Sequence, residues 1–404
     1  MRILFVNHKM GFFGGVEQNI ADVARGLTAR RHQCFLAFGE STGKGVKEYS
    51  KAFLTVTPCI DAGATGGVDF RAIMDDCKPD VVYLHKVDDV SPFLTLSGNV
   101  RTVRMVHDHD IVCPRRHKYF AVSGTICDKP AGLRCWLDGA FIGRSTAGKL
   151  AFTGIAPKLA EMNRNKKLDQ LIVGSEFMER SLVMNGFSPE TIARIAPAVD
   201  ETPVAQVPVP SEPILLFVGQ LIRGKGVDLL LESIATIDRP LKLIIAGGGN
   251  AREQLERQAT HLKLNEKVVF RGWVDHQEIG RLYDEARAVV VPSRWPEPFG
   301  MVGPEAMRHG RAVTAFDAGG IRDWLRHENT GLLAPAGDTK ALGKAIARVL
   351  HEPGLAEKFG AAALEAARAF YGFEHQLDQI EAALAGTFGS TSAQEERRTP
   401  CGSV

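Results

Sequence analysis

The chain has 404 residues with 45% hydrophobic and 24% charged composition, a formal net charge of +2 and seven cysteines. This length predicts two domains, the composition is ordinary for a globular protein with large cores, and the small net charge gives no sign of a nucleic-acid or acidic partner. Scattered cysteines, odd in number, favour a reducing compartment over a disulfide scaffold, and no apolar run is long enough to span a bilayer.

The amino-terminal half alternates short apolar runs with helical patterns, as in parallel sheets with crossover helices. Its first ten residues, MRILFVNHKM, predict a strand and not a signal peptide, so we expect a cytoplasmic protein whose membrane contact would be peripheral, at the inner face. The predicted strands are Ile3–Val6, Gln33–Phe38, Val81–Leu84, Thr102–Val106 and Leu171–Val173. The predicted helices are Val16–Ala29, Phe70–Asp76, Gly148–Lys166 and Glu176–Asn185.

A proline-rich segment, residues 197–213, predicts a linker between a first domain, 1–196, and a second domain, 214–372. The alternation then starts again. The predicted strands are Ile214–Val218, Leu241–Ala246, Val268–Arg271, Val289–Val291, Ala312–Phe316 and Gly331–Leu333. The predicted helices are Gly224–Ala235, Ala251–Leu262, Lys340–Leu350, Leu355–Ala369 and Glu374–Leu384. Residues 373–388 hold the last helix, expected to pack back on the first domain, and the polar residues 389–404 predict a disordered tail.

These patterns predict an α/β protein with two Rossmann-like, doubly wound domains. Ligands of open parallel sheets bind beyond the carboxyl ends of the strands. We therefore expect the ligand site in a cleft between the two domains.

The segment Val289–Gly310 carries two carboxylates where a strand gives way to a proline-rich loop and a short helix. Glu297 lies between Pro296 and Pro298, and the following proline favours an extended backbone there. Glu305 lies on the helix, which Gly310 ends as a left-handed cap. Carboxylates beside a helix start suit a bound sugar or phosphate. The alternative is an ordinary pair of solvated surface acids.

Two further loops lie where strands meet helices. Gly14 and Gly15 follow the first strand and would let a ligand approach the backbone. In GQLIRGKG, Gly219 ends a strand, and Arg223 and Lys225 could neutralise a diphosphate. The alternatives are a tight turn that requires glycine and a solvated basic turn.

Together these features resemble the retaining nucleotide-sugar glycosyltransferases of the GT-B fold, specifically glycosyltransferase family 4. The signature is a pair of glutamates separated by seven residues, here Glu297 and Glu305. The resemblance implies that Glu297 holds hydroxyls of the donor sugar and that Glu305 holds the ribose of the nucleotide. The remaining donor-binding positions are Gly14, Gly15, Gly219, Phe299, Gly300, Met301 and Val302.

The resemblance also assigns Arg223 and Lys225 to the diphosphate and His107, in MVHDHD, to the donor sugar. With Glu297, these three are the predicted catalytic residues. The family is metal-independent, so no cofactor is expected, and the cations would do the work of a divalent ion. The acceptor-side candidates are His85, Asp108 and Arg115.

We therefore expect a hexosyltransferase that acts with retention on a nucleotide diphosphate sugar, UDP or GDP. The acceptor would be a carbohydrate, a lipid-linked molecule or a small molecule, in glycan, polysaccharide or glycolipid synthesis. Fixed cations would stabilise the charge that develops on the departing diphosphate. An epimerase or hydrolase on the same fold is the alternative, and a non-catalytic binding module is another. An oxidoreductase is disfavoured because no GxGxxG follows the first strand.

A cysteine-bearing segment follows His107. Cys113, Cys127 and Cys135 could form a structural zinc site, but the segment lacks a CxxC pair, so a loop over the acceptor cleft is the preferred interpretation. Next, Arg144–Lys167 is basic and amphipathic. It could touch an anionic bilayer, or it could be a solvated helix packed on its domain, which we favour.

Overall fold

The structure, a computed structural model, describes residues 1–12, 14–120, 125–139, 142–144, 150–152, 154–199 and 207–389. The chain divides into two compact units. Unit 1 contains Met1–Arg116, Lys129–Ile195 and the described residues from Gln376 onward. Unit 2 contains His117–Asp128 and Ala196–His375. Each unit is therefore built from more than one stretch of the chain.

Unit 1 is organised around a seven-stranded sheet. The strands of the unit are β1 (Arg2–Met10), β2 (Gln33–Ser41), β3 (Thr55–Pro58), β4 (Val81–Leu84), β5 (Arg101–Val106), β6 (Ile142–Arg144), β7 (Leu150–Phe152), β8 (Gln170–Val173) and β9 (Ile192–Arg194). The sheet has the order β3-β2-β1-β4-β5-β8-β9, and its strand pairs are parallel. A parallel sheet is covered on both faces, so a strand such as β4 is buried at all four positions.

Helices connect these strands. They are α1 (Gly15–Ala29), α2 (Val46–Ser50), α3 (Phe70–Cys77), α4 (Ser91–Leu96), α5 (Leu133–Leu137), α6 (Ile155–Asn165) and α7 (Glu176–Met184). Side-chain caps fix the starts of two of them. Asp69 accepts the N–H of Ala72 at α3, and Ser175 accepts the N–H of Met178 at α7.

The predicted helix Gly148–Lys166 is wrong over Leu150–Phe152, while residues 148, 149 and 153 lie outside the described residues. Leu150–Phe152 form strand β7, which pairs antiparallel with β6, and the helix α6 begins only at Ile155. Strand pairing with residues 142–144 overrides the local helical pattern there. The cations of α6 are engaged with the domain, since Arg164 lies 3.3 Å from Asp89 and burial lowers the pKa of Lys158.

Unit 2 repeats the architecture with a six-stranded parallel sheet. Its strands are β10 (Ile214–Val218), β11 (Lys242–Ala246), β12 (Val268–Gly272), β13 (Ala288–Val291), β14 (Ala312–Phe316) and β15 (Gly331–Ala334), in the order β12-β11-β10-β13-β14-β15. Its helices are α8 (Val227–Ala235), α9 (Arg252–His261), α10 (His276–Glu285), α11 (Val302–Arg308), α12 (Thr339–His351) and α13 (Leu355–Phe370). The predicted fold class, two doubly wound α/β domains, is confirmed.

The last helix, α14 (Phe373–Ala385), continues from unit 2 into unit 1. Glu381 accepts hydrogen bonds from Arg30 and from the ring of His32, each at 3.0 Å, and Arg101 donates to the carbonyl of Ala383. These contacts attach the described carboxyl-terminal residues to β5 and to the turn between α1 and β2.

The proline-rich segment is partly described. Residues 207–213 run along unit 2, where the Pro210 carbonyl accepts a hydrogen bond from the buried Arg287 at 2.7 Å. Residues 200–206 of the predicted linker and 390–404 of the predicted tail lie outside the described residues. Among the helices that the structure describes, none has both the length and the apolar character needed to cross a bilayer.

Candidate functional site

The strand order of each sheet identifies one edge position as the place for a ligand. The order reverses between β1 and β4 in unit 1 and between β10 and β13 in unit 2. Ligands of doubly wound sheets bind at such a switch point, outside the carboxyl ends of the strands. In unit 2 the loops that leave β10 and β13 carry Arg223 and Lys225 on one side and Glu297 on the other.

Glu297 is buried and paired with a cation. Only 3% of the residue is exposed, and its Oε1 lies 2.7 Å from Lys225 Nζ. The hydroxyl of Ser293 donates to the same oxygen, and the Lys225 ammonium lies 5.1 Å from the ring centre of Trp295. Burial alone would raise the pKa of this carboxyl, but Lys225 and the neighbouring hydrogen bonds hold it below its usual value. The interpretation of Glu297 as a solvated loop acid is therefore wrong.

The backbone of Glu297 is fixed as firmly as its side chain. Its N–H donates to the Ala318 carbonyl at 3.3 Å, and its carbonyl accepts from Gly320 N at 2.7 Å. Gly319 has φ +69°, and a Cβ there would lie 2.3 Å from the Glu297 carbonyl oxygen. Only glycine allows these two segments to lie side by side.

The loop Phe299–Met301 leads directly into α11. Trp324 Nε1 donates to the Phe299 carbonyl at 2.7 Å, and the Trp324 ring fills the space beside Gly303, where a Cβ would lie 2.1 Å from the ring. Gly300 has φ +91°. The first N–H groups of a helix have no partner within the helix, so the backbone at Met301 and Val302 is suited to a polar ligand.

Glu305 lies on the first turn of α11 and is held by a tyrosine that the sequence analysis did not find. Tyr283 Oη donates to Glu305 Oε2 at 2.9 Å. Burial, with the charge of Glu305, raises the pKa of Tyr283 well above its usual value, so the phenol stays protonated and donates. Tyr283 lies on α10, which the sequence analysis did not predict. Gly310 ends this segment with φ +65°, which confirms the predicted left-handed cap.

The two predicted cations share one short turn. Arg223–Lys225 form a 3-10 turn instead of the predicted helix start, because Gly226 adopts φ +68° before α8 begins at Val227. A Cβ at Gly226 would lie 1.9 Å from the Pro292 carbonyl oxygen. Arg223 is exposed while Lys225 is half-buried. Gly219 directly follows β10, precedes this turn in the chain and has φ +152°.

A hairpin from an earlier part of the chain belongs to unit 2. Phe120 N donates to the Thr125 carbonyl at 2.9 Å, and Ile126 packs against the hydrophobic core of the unit. Tyr119 is buried, and burial raises its pKa, while the charge of Arg223 acts in the opposite direction. The hairpin therefore places Tyr119 within the electrostatic field of Arg223, which is a candidate residue for binding the diphosphate. No sequence motif indicated it.

In unit 1 two candidate residues follow neighbouring strands, β4 at the switch point and β5 beside it. His85 follows β4 and His107 follows β5, and His85 Nδ1 lies 3.0 Å from His107 Nε2. Burial lowers the pKa of both rings, to about 3 for His107 and well below the usual value for His85. Both imidazoles are therefore neutral near pH 7.

A charged cluster lies beside this pair. Lys86 Nζ donates to Asp110 at 2.8 Å and also to Asp108. Burial opposes the charge of Lys86, but the two carboxylates outweigh it and raise its pKa. Burial and the charge of Asp110 raise the pKa of Asp108, whereas Lys86 and Arg104 outweigh burial at Asp110 and lower its pKa. The predicted acceptor-side residue Asp108 thus belongs to a hydrogen-bonded network with Lys86 and Asp110.

The glycine loop after β1 is partly described, since Phe13 lies outside the described residues. Gly14 precedes α1, and its N–H donates to Glu17 Oε2 at 3.1 Å. A Cβ at Gly15 would meet nothing within 4 Å, so this position is open. Burial raises the pKa of Glu17 despite the Gly14 N–H.

The remaining acceptor-side and metal candidates are distributed over both units. Arg115 donates to the Asp138 carbonyl in unit 1. Cys113 and Cys135 belong to unit 1, and Cys127 belongs to unit 2. Within the described part of the chain, no group of three or more His, Cys, Asp or Glu side chains is placed to hold a metal ion.

Two family models match consecutive parts of the chain. The model described as Glycosyltransferase Family 4 matches residues 13–202, and the model described as Glycosyl transferases group 1 matches residues 200–366. Together they cover residues 13–366, which include the loops that carry the candidate residues and every strand of the two sheets except β1.

Individual relatives agree with the family models. An uncharacterized glycosyltransferase of Methanocaldococcus jannaschii is 36% identical over 36% of this chain and 38% of its own length. A D-inositol 3-phosphate glycosyltransferase of Catenulispora acidiphila is 29% identical over 60% of each chain. The chain thus spans less than two thirds of the length of these curated relatives.

Among solved structures, Anabaena HepE in complex with UDP is similar to this chain. Its TM-score is 0.73 at 19% identity, over 96% of this chain and all of HepE. At that identity the likeness shows the fold, two Rossmann-like domains of the GT-B kind.

Proposed function

Because this chain belongs to the family 4 glycosyltransferases of the GT-B fold, we propose that it transfers a hexose-type sugar, with retention, from a nucleotide diphosphate sugar to an acceptor hydroxyl. One observation carries the proposal: the buried pair of Glu297 and Lys225, at 2.7 Å, next to the exposed Arg223. At one sheet edge, two cations suit the diphosphate of a sugar nucleotide, and a fixed carboxylate suits the hydroxyl groups of its sugar.

In this proposal the cations act on the leaving group. Breaking the bond between sugar and phosphate puts negative charge on the departing diphosphate, and preorganised cations stabilise that charge most in the transition state. Arg223 would contact the phosphate oxygens as a bidentate donor. Lys225 has three N–H groups and one of them is used by Glu297, so the others remain for phosphate. These cations would replace a divalent ion.

Glu297 would hold the sugar. Its Oε1 already accepts hydrogen bonds from Lys225 and Ser293, and these bonds stabilise the carboxylate and reduce its power as a nucleophile. We therefore assign it to sugar hydroxyls, with the backbone at Phe299–Met301. Retention then follows if the leaving phosphate takes the proton of the acceptor hydroxyl and the acceptor attacks from the same face. Glu305, held by Tyr283, would bind the ribose hydroxyls.

UDP or GDP is the proposed carrier, and Anabaena HepE, which has the same fold, was solved with UDP. A panel of UDP-, GDP-, ADP- and dTDP-sugars, measured by thermal shift, tests this assignment because a bound donor stabilises the folded state. One donor should raise Tm clearly above the others. A flat response to the whole panel would refute the proposal. Incubation with that donor alone then separates a transferase from an epimerase or hydrolase, which needs no acceptor.

We further propose that the protein works in the cytoplasm on a glycan or glycolipid precursor at the inner face of the membrane. The supporting observation is helix α5, on which Leu133 is 85% and Leu137 is 87% exposed, with Arg134 exposed between them. Apolar side chains beside a cation suit the boundary of an anionic bilayer.

A further inference from the structure

Two imidazoles meet at the sheet edge of unit 1. The 3.0 Å distance between His85 Nδ1 and His107 Nε2 is that of a hydrogen bond. His85 is 1% exposed, whereas His107 is only partly buried. Since both rings are neutral, one ring donates and the other accepts, and that choice fixes the tautomer of each.

The surroundings of His85 are aromatic. Its ring stacks on Phe5 at 5.7 Å and contacts Tyr83 at 4.3 Å between ring centres. Its other nitrogen, Nε2, is buried and has no hydrogen-bond partner among the described residues. The charged groups that act on the pair are Lys86, Arg104 and Asp110.

Two arrangements satisfy the hydrogen bond. If His107 donated through Nε2, the proton of His85 would lie on Nε2 and would be a buried N–H without an acceptor. If His85 donates through Nδ1, its Nε2 is a bare nitrogen that carries no unsatisfied N–H. Orphaned buried N–H groups are rarer in proteins than under-satisfied acceptors, which favours the second arrangement.

We propose that His85 is a positioning residue that holds His107 in the Nδ1–H tautomer. His107 then offers an N–H, and not a lone pair, at its other ring nitrogen, Nδ1. Such a donor suits an oxygen of the substrate, a sugar hydroxyl or a phosphate oxygen. The substrate contact rests on the proposed glycosyltransferase function, but the tautomer does not.

The tautomer can be measured without any substrate. Long-range proton–nitrogen correlation spectra of ¹⁵N-histidine-labelled protein at pH 7.5 distinguish the protonated nitrogen of each ring. We expect His107 to be protonated at Nδ1 and bare at Nε2, and the reverse pattern would overturn the proposal. In His85→Asn the amide can replace the Nδ1–H donor, so His107 should keep its tautomer. In His85→Leu the donor is lost, and His107 should no longer be held in the Nδ1–H form.

Turnover then tests the consequence. His85→Leu should lower kcat about tenfold, roughly the effect of one lost hydrogen bond in the transition state, and His85→Asn should recover most of it. Circular dichroism and thermal unfolding confirm that both variants are folded. If His85→Leu keeps both the tautomer and the wild-type kcat, His85 has no positioning role. If no nucleotide sugar supports turnover by the wild type, the proposed function fails while the spectra still decide the tautomer.

Discussion

Lys225 Nζ lies 2.7 Å from Glu297 Oε1. This contact joins the residue proposed to bind the phosphates to the residue proposed to bind the sugar. The carboxylate is almost completely buried, and its partner is about one quarter exposed. The proposed function therefore couples stability and catalysis at one ion pair.

Removal of the cation alone should damage both properties. Lys225→Ala leaves the buried Glu297 carboxylate without its counter-ion, so we expect a loss of about 2–3 kcal/mol in the free energy of unfolding. The double variant Lys225→Met/Glu297→Gln should recover most of that stability but not the activity. Urea denaturation and kcat/KM measure the two effects, and an inactive single variant of wild-type stability would contradict the coupling.

Arg223 provides the opposite case, because its side chain is exposed. Arg223→Ala should change the free energy of unfolding by less than about 0.5 kcal/mol. It should lower kcat at least about a hundredfold, as expected for a lost donor to transition-state charge. The matched control is Arg257→Ala, an exposed arginine on α9 of the same unit. Equal kcat for the two variants would exclude Arg223 from the diphosphate site.

Gly303 should tolerate no side chain. Its Cβ would lie 2.1 Å from the ring of Trp324, which also holds the Phe299 carbonyl. Gly303→Ala should therefore destabilise the protein by about 2 kcal/mol or more through overpacking, and it should weaken donor binding. Gly248→Ala is the stability control, because a Cβ there meets nothing within 4 Å. Thermal unfolding and donor titration compare the two.

The histidine pair predicts a pH dependence. The folded-state pKa of His107, about 3, lies below the unfolded value near 6.5, so the unfolded state binds more protons between these pH values. Stability should consequently fall as the pH drops from 7 to 5, by about 2 kcal/mol for this residue. In His107→Asn that part of the slope should be absent. Urea denaturation at pH 7, 6 and 5 measures it, and identical slopes in the two proteins would contradict the pKa shift.

The exposed face of α5 predicts binding to anionic vesicles. Wild-type protein should float with vesicles that contain phosphatidylglycerol more than with phosphatidylcholine alone. Leu133→Ser/Leu137→Ser should reduce binding at least about tenfold, because the apolar contribution of both side chains is lost. Leu54→Ser, an exposed leucine of unit 1 outside α5, is the control. If the wild type stays in solution with both vesicle types, the membrane proposal is wrong.

Much of the fold follows from local sequence. Val81–Leu84 and Ile214–Val218 were predicted with their observed bounds, because an apolar run of four or five residues between polar segments suits a buried parallel strand. The predicted helix over Leu150–Phe152 failed because an antiparallel partner decides the conformation there. Helix α10 was not predicted, although its cap is readable, since Asp275 accepts the N–H of Glu278.

The site was less accessible to sequence reasoning. The two loops that carry Glu297 and Lys225 follow from strand ends, but the backbone position of Glu297 depends on its contacts with Gly319 and Gly320, in the loop after the next strand. The partner of Glu305, Tyr283, lies on another helix. Such contacts depend on tertiary packing, which a residue pattern does not encode.

Because the hairpin His117–Asp128 belongs to unit 2, the two units are not two consecutive halves of the chain joined by a single linker. Within the described residues the chain passes between the units four times, after residues 116, 128, 195 and 375. A fragment that begins at Ala196 would retain Arg223, Lys225 and Glu297 but would expose the core surface that Ile126 covers. The two halves of this protein are therefore poor candidates for separate expression, and a domain exchange with a relative must carry the hairpin along with the second sheet.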